Sequence, residues 1–230
     1  MAGLVPELRR IWRHGRHEVG RRLRPPVEGR FQPYPYTLPD RYPWLFSFAR
    51  DALEGVTIPR VLSFGCSTGE EVFSLRRYFP GARLKGVDID PCNIAACRAD
   101  SRRDEGMQFE TAANLAAEPS AAYDAVFCLA VLCHGDLTSA KARRSDPKMR
   151  FEDFERATGE LARCLKPGGY LFLHTSNFRF GDTDQAATFE VVLEARPEQL
   201  ASDLLFDRDN RVLPDGRYHP VGFRKQVRAG

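Results

Sequence analysis

The fold is decided by residues 60–71, which read Arg60-Val61-Leu62-Ser63-Phe64-Gly65-Cys66-Ser67-Thr68-Gly69-Glu70-Glu71. A short apolar run leads into a turn of small residues, and two adjacent carboxylates then open a predicted helix. In an α/β sheet, such a passage builds a ligand site at the carboxyl end of the strand, where backbone N–H groups point at the ligand. Two carboxylates at that helix start repel an anionic pyrophosphate. The segment therefore predicts a ligand that carries positive charge.

Strands and helices alternate on both sides of this segment. The apolar patterns predict strands at 60–64, 82–88, 107–110, 123–132 and 170–174, and helices at 44–53, 70–78, 91–101 and 151–165. Two later segments, 188–194 and 221–227, are typical of strands and are expected to close the sheet as an antiparallel pair. The pattern predicts an α/β fold with a doubly wound, mostly parallel sheet of seven strands.

The chain of 230 residues is long enough for one sizeable core and contains no long flexible linker. We predict an N-terminal arm over residues 1–43 and one α/β domain over 44–230. The first 30 residues carry eight arginines and three glutamates, with apolar residues at roughly helical spacing. They predict a basic amphipathic helix, which is either a solvated face or an element that binds phosphates or a membrane. Residues 31–44 contain four prolines and predict an extended, aromatic strap.

The composition excludes several classes of protein. No apolar stretch approaches the roughly 18 residues of a membrane span, and no secretory signal is visible, so a cytoplasmic location is expected. The net charge of +3 is too small to indicate nucleic-acid binding by itself. Six cysteines without C-x-x-C spacing are expected to be reduced and mostly buried, and no metal site is predicted.

A second candidate site residue ends the second predicted strand, Leu84-Lys85-Gly86-Val87-Asp88-Ile89-Asp90-Pro91. Asp88 lies 23 positions after Gly65, close to the roughly 20 residues typical of nucleoside-binding α/β folds, where a carboxylate accepts the ribose hydroxyls. Ile89 would then form an apolar wall for the base. The alternative is that Asp88 or Asp90 only caps the helix that starts near Pro91.

These segments together resemble one enzyme superfamily. The resemblance rests on Gly65-Cys66-Ser67-Thr68-Gly69-Glu70-Glu71, Asp88-Ile89-Asp90, Asn114-Leu115, Tyr123-Asp124-Ala125-Val126-Phe127-Cys128 and Leu165-Lys166-Pro167-Gly168-Gly169. They resemble the class I S-adenosylmethionine-dependent methyltransferases over roughly residues 44–177, and the wording is closest to the bacterial chemotaxis receptor methyltransferases. The resemblance implies a Rossmann-like methyltransferase fold, S-adenosyl-L-methionine as cofactor and S-adenosyl-L-homocysteine as product. The ammonium and sulfonium of this cofactor agree with the acidic helix start.

The resemblance also implies a set of cofactor contacts. The implied residues are Phe64, Gly65, Cys66, Ser67, Gly69 and Glu70 around the methionine part, Asp88 at the ribose, Ile89, Asn114 and Leu115 at the adenine, and Cys128, Leu129 and Ala130 on the floor. The fourth strand has no acid near its end to hold a divalent cation, so metal-assisted transfer is not expected.

Histidines supply the candidate bases. His134 follows the fourth strand, where a general base would reach an acceptor hydroxyl or amine; the alternative is a histidine that caps a helix or lies on the surface. His174 lies within the fifth strand and is expected to be a core histidine with its hydrogen bonds satisfied. By position in the sequence, the candidates to line an acceptor pocket are Asn177, Arg179 and the strap residues Arg41 and Tyr42.

The departures from the closest family concern the acceptor. At this position the chemotaxis enzymes have a sequence that resembles Phe-Cys-Arg-Asn-Val, whereas this chain has Phe127-Cys128-Leu129-Ala130-Val131. A receptor glutamate is therefore not the expected substrate. We predict methyl transfer to an oxygen or nitrogen atom of a small molecule. One alternative is an RNA or protein methyltransferase that uses the basic residues 1–30. Another is an NAD-dependent oxidoreductase, but Ser67 and Glu70 replace two glycines of the G-x-G-x-x-G motif that it needs.

Overall fold

The computed structural model describes residues 29–201, 203–214 and 216–227. The basic helix was predicted within the first 30 residues, of which residues 1–28 lie outside the described residues. The predicted division into an arm of residues 1–43 and a domain of residues 44–230 therefore stays a prediction.

The described chain forms a seven-stranded sheet. Its strands are β1 (Arg60–Phe64), β2 (Arg83–Asp88), β3 (Met107–Thr111), β4 (Tyr123–Leu129), β5 (Leu165–His174), β6 (Phe189–Glu194) and β7 (Pro220–Lys225). The strand order is β3-β2-β1-β4-β5-β7-β6, and β7 runs antiparallel to both β5 and β6. The predicted fold class is confirmed, because five parallel strands end at one edge of the sheet and an antiparallel pair closes it.

Five α-helices accompany the sheet in the described ranges. They are α1 (Pro43–Ala52), α2 (Glu70–Tyr78), α3 (Pro91–Ala99), α4 (Gly135–Ser139) and α5 (Phe151–Cys164). Strand β4 is buried along its whole length. Its Val126 and Cys128 belong to one hydrophobic cluster, and Ala125 and Phe127 belong to the other, so one cluster packs on each face of the sheet.

Two strand ends differ from the prediction by three residues or more. Strand β4 stops at Leu129, three residues early, because Ala130 takes a left-handed backbone with φ of 57° that cannot continue a strand. Strand β5 begins at Leu165 and includes the predicted helix-to-strand passage. Its register against β4 shifts where Tyr123 pairs with Leu165 and Ala125 pairs with Tyr170.

The structure also shows the state of the cysteines and whether any helix could span a membrane. Five of the six cysteines are buried and all six are free thiols, while Cys92 is exposed. None of the helices in the described ranges is both long and apolar enough to cross a membrane.

Candidate active site

A cavity opens at the edge of the sheet where the parallel strands end. It contains about 1010 Å³ of empty space, part of which is open to solvent. The protein core lines it with Phe46, Phe64, Gly65, Cys66, Ser67, Glu71, Asp88, Ile89, Asp90, Asn93, Ala112, Ala113, Leu129, Ala130 and Val131, and the strap lines it with residues 29–38, Arg41 and Tyr42. The cavity therefore lies at the predicted place, at the carboxyl ends of β1, β2 and β4.

The turn after β1 forms the inner wall. Gly65 has a φ of 75°, and a Cβ atom placed there would lie 2.4 Å from Cγ2 of Val131. Only glycine fits this backbone and this close approach. The backbone N–H groups of Gly65 and Cys66 both donate to the carbonyl of Val87, at 2.7 and 3.0 Å, which fixes the turn against β2.

Asp88 holds the turn and the next helix together. Its Oδ2 accepts a hydrogen bond from the backbone N–H of Ser67 at 2.8 Å, and its Oδ1 accepts from the N–H of Asp90 and from Nδ2 of Asn93 at 2.8 and 3.1 Å. Asp90, not Asp88, caps α3, because its side chain accepts from the N–H of Cys92. Asp88 therefore remains as the carboxylate that faces the cavity from the end of β2.

The two glutamates that open α2 have different surroundings. Glu70 forms two hydrogen bonds of 2.8 Å with the guanidinium of Arg102, on the outer side of α2 and away from the cavity lining. Glu71 lines the cavity, and its Oε1 accepts a hydrogen bond of 2.7 Å from the hydroxyl of Ser63 in β1. The carboxylate that can meet a cation is Glu71.

Burial makes the carboxyl group of Glu71 a weaker acid than that of an ordinary glutamate. Desolvation raises the pKa of its carboxyl to about 7, while the hydrogen bond from Ser63 and the positive charge of Arg41 oppose the rise. At neutral pH this group is thus divided between its protonated and charged forms. A ligand with positive charge would stabilise the charged form.

The raised pKa of Glu71 predicts how stability depends on pH. The folded state binds this proton more tightly than the unfolded chain, so the contribution of Glu71 is most favourable below pH 4.5 and is lost as the pH rises toward 7. We expect the difference in the free energy of unfolding between the wild type and Glu71→Gln to change by about 1–3 kcal/mol across this window. Urea unfolding at several pH values measures it. Glu70→Gln is the matched control, and an equal change in that variant would contradict the assignment.

In the structure, the strap consists of residues 29–42 and crosses the mouth of the cavity. Residues 43 and 44, which the sequence prediction included in the strap, belong to helix α1. Arg30 forms an ion pair with Asp90 at 3.7 Å. Gln32 Nε2 contacts Cys133 Sγ at 3.2 Å. The carbonyl oxygen of Pro35 accepts from the hydroxyl of Ser67 at 3.1 Å. The strap thus reaches from the end of β2 to the segment after β4 and covers the cavity between them.

Five predicted cofactor contacts lie away from the cavity lining: Gly69, Glu70, Asn114, Leu115 and Cys128. Gly69 is the N-cap of α2, with a φ of 90°. Leu115 is buried in the core and its N–H donates to Glu160. Asn114 accepts from the N–H of Ala116, so Ala112 and Ala113 are the residues after β3 that reach the cavity.

Cys128 is fully buried in β4. Burial, with the negative charge of Glu71 as the next cause, raises the pKa of its thiol well above its usual value. Cys128 therefore packs as a neutral, small side chain next to the cavity lining, to which Leu129 and Ala130 belong.

His134 occupies the N-cap of α4. Its Nδ1 accepts a hydrogen bond from the N–H of Asp136 at 3.3 Å, and its backbone N–H donates to Oδ1 of Asn177 at 2.6 Å. The residue does not line the cavity. This geometry matches the alternative of a helix-capping histidine, and a catalytic role for His134 stays a prediction.

Some residues that line the cavity are missing from the sequence prediction because little in the sequence marks them as site residues. Glu71 was part of the motif, but the neighbouring Glu70 was chosen. A polar Ser63 within a buried strand is the signal that favours Glu71, because a buried hydroxyl needs a partner. Ala112, Ala113 and Val131 carry no signal of their own, since small apolar residues are common next to strands.

Comparison with known proteins agrees with this geometry. Residues 62–173 match the family model described as a methyltransferase domain. This part of the chain is similar to methyltransferase domains. The match covers β1 to β5, and the predicted cofactor, S-adenosylmethionine, is the methyl donor of such domains. The family match favours methyl transfer over the alternative of an NAD-dependent oxidoreductase.

Two curated relatives have quinone-related names. The demethylmenaquinone methyltransferase of Thermus thermophilus is 34% identical over 114 residues, which are 49% of this chain and 44% of the relative. The ubiquinone biosynthesis O-methyltransferase of Xanthomonas oryzae pv. oryzae is 31% identical over 169 residues, which are 72% of this chain and 56% of the relative. This chain spans about half the length of these relatives.

Among solved structures, an S-adenosylmethionine-dependent methyltransferase from Mesorhizobium loti is 22% identical and aligns with 55% of this chain and 50% of its own, with a TM-score of 0.39.

The cavity fits S-adenosylmethionine in its charges and shape. Glu71 offers a carboxylate to an ammonium, and Asp88 offers one to a pair of ribose hydroxyls. Ile89 and Ala112 supply apolar walls next to Asp88. Gly65 leaves room where any Cβ atom would clash with Val131.

Proposed function

We propose that this protein transfers a methyl group from S-adenosylmethionine to an oxygen or nitrogen atom of a small molecule, with a hydroxylated aromatic ring as the first class to test. The observation that carries the proposal is the strap across the cavity mouth. Because residues 31–38 line the cavity, an acceptor atom must enter past them, which favours a small molecule over a folded partner. The names of the quinone-related relatives support the aromatic class.

The proposed cofactor contacts follow from the cavity lining. Glu71 would bind the ammonium, Asp88 the ribose hydroxyls, and Ile89 with Ala112 and Ala113 the adenine. Phe64, Gly65, Cys66, Ser67, Leu129 and Ala130 would complete the lining. When bound, the cofactor supplies an electrophilic methyl group on a sulfonium. The chain's own part is to hold the acceptor in line with that methyl group and to exclude water.

Two other acceptor classes are a receptor glutamate and RNA. The relatives reported above include no chemotaxis enzyme, and Leu129 and Ala130 make the cavity floor apolar. The proposal therefore does not extend to a receptor glutamate. The alternative of an RNA acceptor depends on residues 1–28, which lie outside the described residues, and the experiment below tests it together with the small-molecule acceptor.

We expect labelled methyl groups to appear in small molecules. Purified protein would be incubated with S-adenosylmethionine carrying a tritiated methyl group and with cell extract separated into small molecules, protein and RNA, and with 1,4-dihydroxynaphthalene kept reduced. Label in the small-molecule fraction supports the proposal, and label only in protein or RNA overturns it. Asp51→Ala serves as the active control because Asp51 is exposed and forms a surface ion pair with exposed Arg50, away from the cavity lining.

A further inference from the structure

A chain of hydrogen bonds leads from the cavity into the protein. Tyr42 is one of the residues that line the cavity, and its hydroxyl lies 3.4 Å from Oγ1 of Thr175. Oγ1 of Thr175 lies 2.8 Å from Nδ1 of His174, and Nε2 of His174 lies 2.9 Å from the carbonyl oxygen of Gln199. His174 is the core histidine expected from the sequence, and its partners on both ring nitrogens make it part of this chain.

The donor and acceptor atoms of these groups fix the direction of each hydrogen bond. A carbonyl oxygen only accepts hydrogen bonds, so Nε2 of His174 must carry a hydrogen and donate to Gln199. In the neutral imidazole, Nδ1 is then unprotonated and accepts from the hydroxyl of Thr175. The oxygen of Thr175 is left to accept from the hydroxyl of Tyr42. The hydroxyl hydrogens of Tyr42 and Thr175 therefore both point from the cavity toward His174.

We propose that Tyr42, Thr175 and His174 form a proton relay that removes the proton from a hydroxyl acceptor during methyl transfer. The inference rests on the proposed function and narrows it to acceptors with an ionisable hydroxyl group. Tyr42 is the catalytic residue because it would touch the acceptor. Thr175 and His174 are positioning residues that act through Tyr42.

The transfer balances in atoms and charge. The acceptor hydroxyl gives its proton to the oxygen of Tyr42, Tyr42 gives its own proton to Oγ1 of Thr175, and Thr175 gives its proton to Nδ1 of His174. The acceptor oxygen uses its freed electron pair to form the bond to the methyl carbon, and the carbon–sulfur bond breaks with its electrons remaining on sulfur. The positive charge lost by the sulfonium appears on the imidazolium of His174.

The surroundings of His174 keep it ready to accept a proton. Burial, with the positive charge of Arg41, lowers the pKa of the imidazole below its usual value, while the carbonyl of Gln199 and the charge of Asp203 oppose this. The ring of Tyr42 lies 4.9 Å from the imidazole and the ring of Trp44 lies 5.9 Å from it, both measured between centroids.

The far side of His174 faces a second cavity. His174, Asp203, Arg217 and Tyr218 are among the residues that line it, so these are the charged and titratable groups on that side. The imidazole is neutral at pH 7, and Asp203 is the one anion that faces the imidazolium among these groups.

The backbone at Thr175 holds its hydroxyl in this chain. Thr175 has a φ of 58°, in the left-handed region that a β-branched residue seldom adopts. Strained backbone of this kind persists where the surrounding structure fixes it, and it is concentrated at functional sites. The position at the end of β5 directs the hydroxyl between Tyr42 and His174.

The matched variants Thr175→Val and Thr175→Ser test the relay in the full chain. Valine keeps the shape and removes the hydroxyl, and serine keeps the hydroxyl. With reduced 1,4-dihydroxynaphthalene as acceptor, we expect Thr175→Val to lower the methylation rate about 10- to 100-fold, with S-adenosylhomocysteine affinity within about twofold of wild type by calorimetry. Thr175→Ser is expected to stay within about threefold. The loss of rate in wild type on acidification through the His174 pKa should disappear in Thr175→Val.

A second readout needs neither cofactor nor acceptor. Nitrogen-15 NMR of His174 in the free protein should show Nε2–H as the neutral form. The nitrogen-15 chemical shift of Nδ1 should change in Thr175→Val, which removes the hydroxyl that is hydrogen-bonded to this atom, but not in Thr175→Ser.

The outcomes separate the two proposals. A Thr175→Val protein with unchanged methylation rate and pH profile overturns the relay and leaves the proposed function standing. A wild-type protein that binds S-adenosylhomocysteine and methylates only nitrogen acceptors also overturns the relay. A wild-type protein that methylates no small molecule overturns the proposed function and the relay with it.

Discussion

Replacing Gly65 with alanine is expected to abolish measurable cofactor binding and to lower the free energy of unfolding by about 3 kcal/mol. The new Cβ atom would lie 2.4 Å from Cγ2 and 2.8 Å from Cγ1 of Val131. The left-handed backbone alone costs an alanine about 1–2 kcal/mol, and overpacking adds about 1–3 kcal/mol. Relief of the clash must move the turn or Val131, and both line the cavity.

Calorimetric titration with S-adenosylhomocysteine and urea unfolding would measure the two effects of Gly65→Ala. Gly81→Ala is the matched control, because a Cβ atom at Gly81 meets nothing within 4 Å. A Gly65→Ala protein that binds S-adenosylhomocysteine as the wild type does would show that the cofactor does not rest against this turn.

Replacing Asp88 with alanine is expected to weaken S-adenosylhomocysteine binding about 100- to 1,000-fold, because two hydrogen bonds from ribose hydroxyls to a charged group contribute about 1.5 kcal/mol or more each. The same change removes the acceptor of the N–H groups of Ser67 and Asp90 and of the side chain of Asn93. We expect the free energy of unfolding to fall by about 2 kcal/mol as well.

Asp88→Asn separates these two roles. It keeps one oxygen acceptor for the protein's own donors and loses the charge, so it should regain part of the stability and little of the affinity. Calorimetry and urea unfolding on both variants, with Asp51→Ala as a surface control, test this. Equal affinity in the wild type and Asp88→Ala would remove Asp88 from the proposed ribose site.

The elements nearest the decisive segment were predictable because local patterns define them. Strand β1 and helix α2 have the predicted bounds, Arg60–Phe64 and Glu70–Tyr78. An apolar run, a turn of small residues and an acidic helix start are all short-range signals. Strand β4 was predicted too long because apolar residues continue past Leu129, whereas the left-handed backbone of Ala130 ends the strand.

The choice between neighbouring residues was not predictable in the same way. Glu70 and Glu71 are chemically identical, and the partner that holds Glu70 comes from a distant segment. Arg102, 32 residues further along the chain, holds Glu70 on the outside of the helix. Ser63 binds Glu71 on the side of the cavity. The pattern of residues 60–71 contains Ser63, the partner of Glu71, but no information about Arg102.

By itself, the sequence determined the sheet, the position of the site at its carboxyl edge, and a cofactor with positive charge. These follow from apolar periodicity, turn chemistry and the signs of charges, all of which act over a few residues. Only the tertiary structure decided that Glu71 faces the cavity, that the strap covers it, and that Tyr42 meets Thr175 across 133 positions of sequence. The physical reason is that these contacts depend on how distant segments pack, and packing is a property of the assembled sheet rather than of any segment.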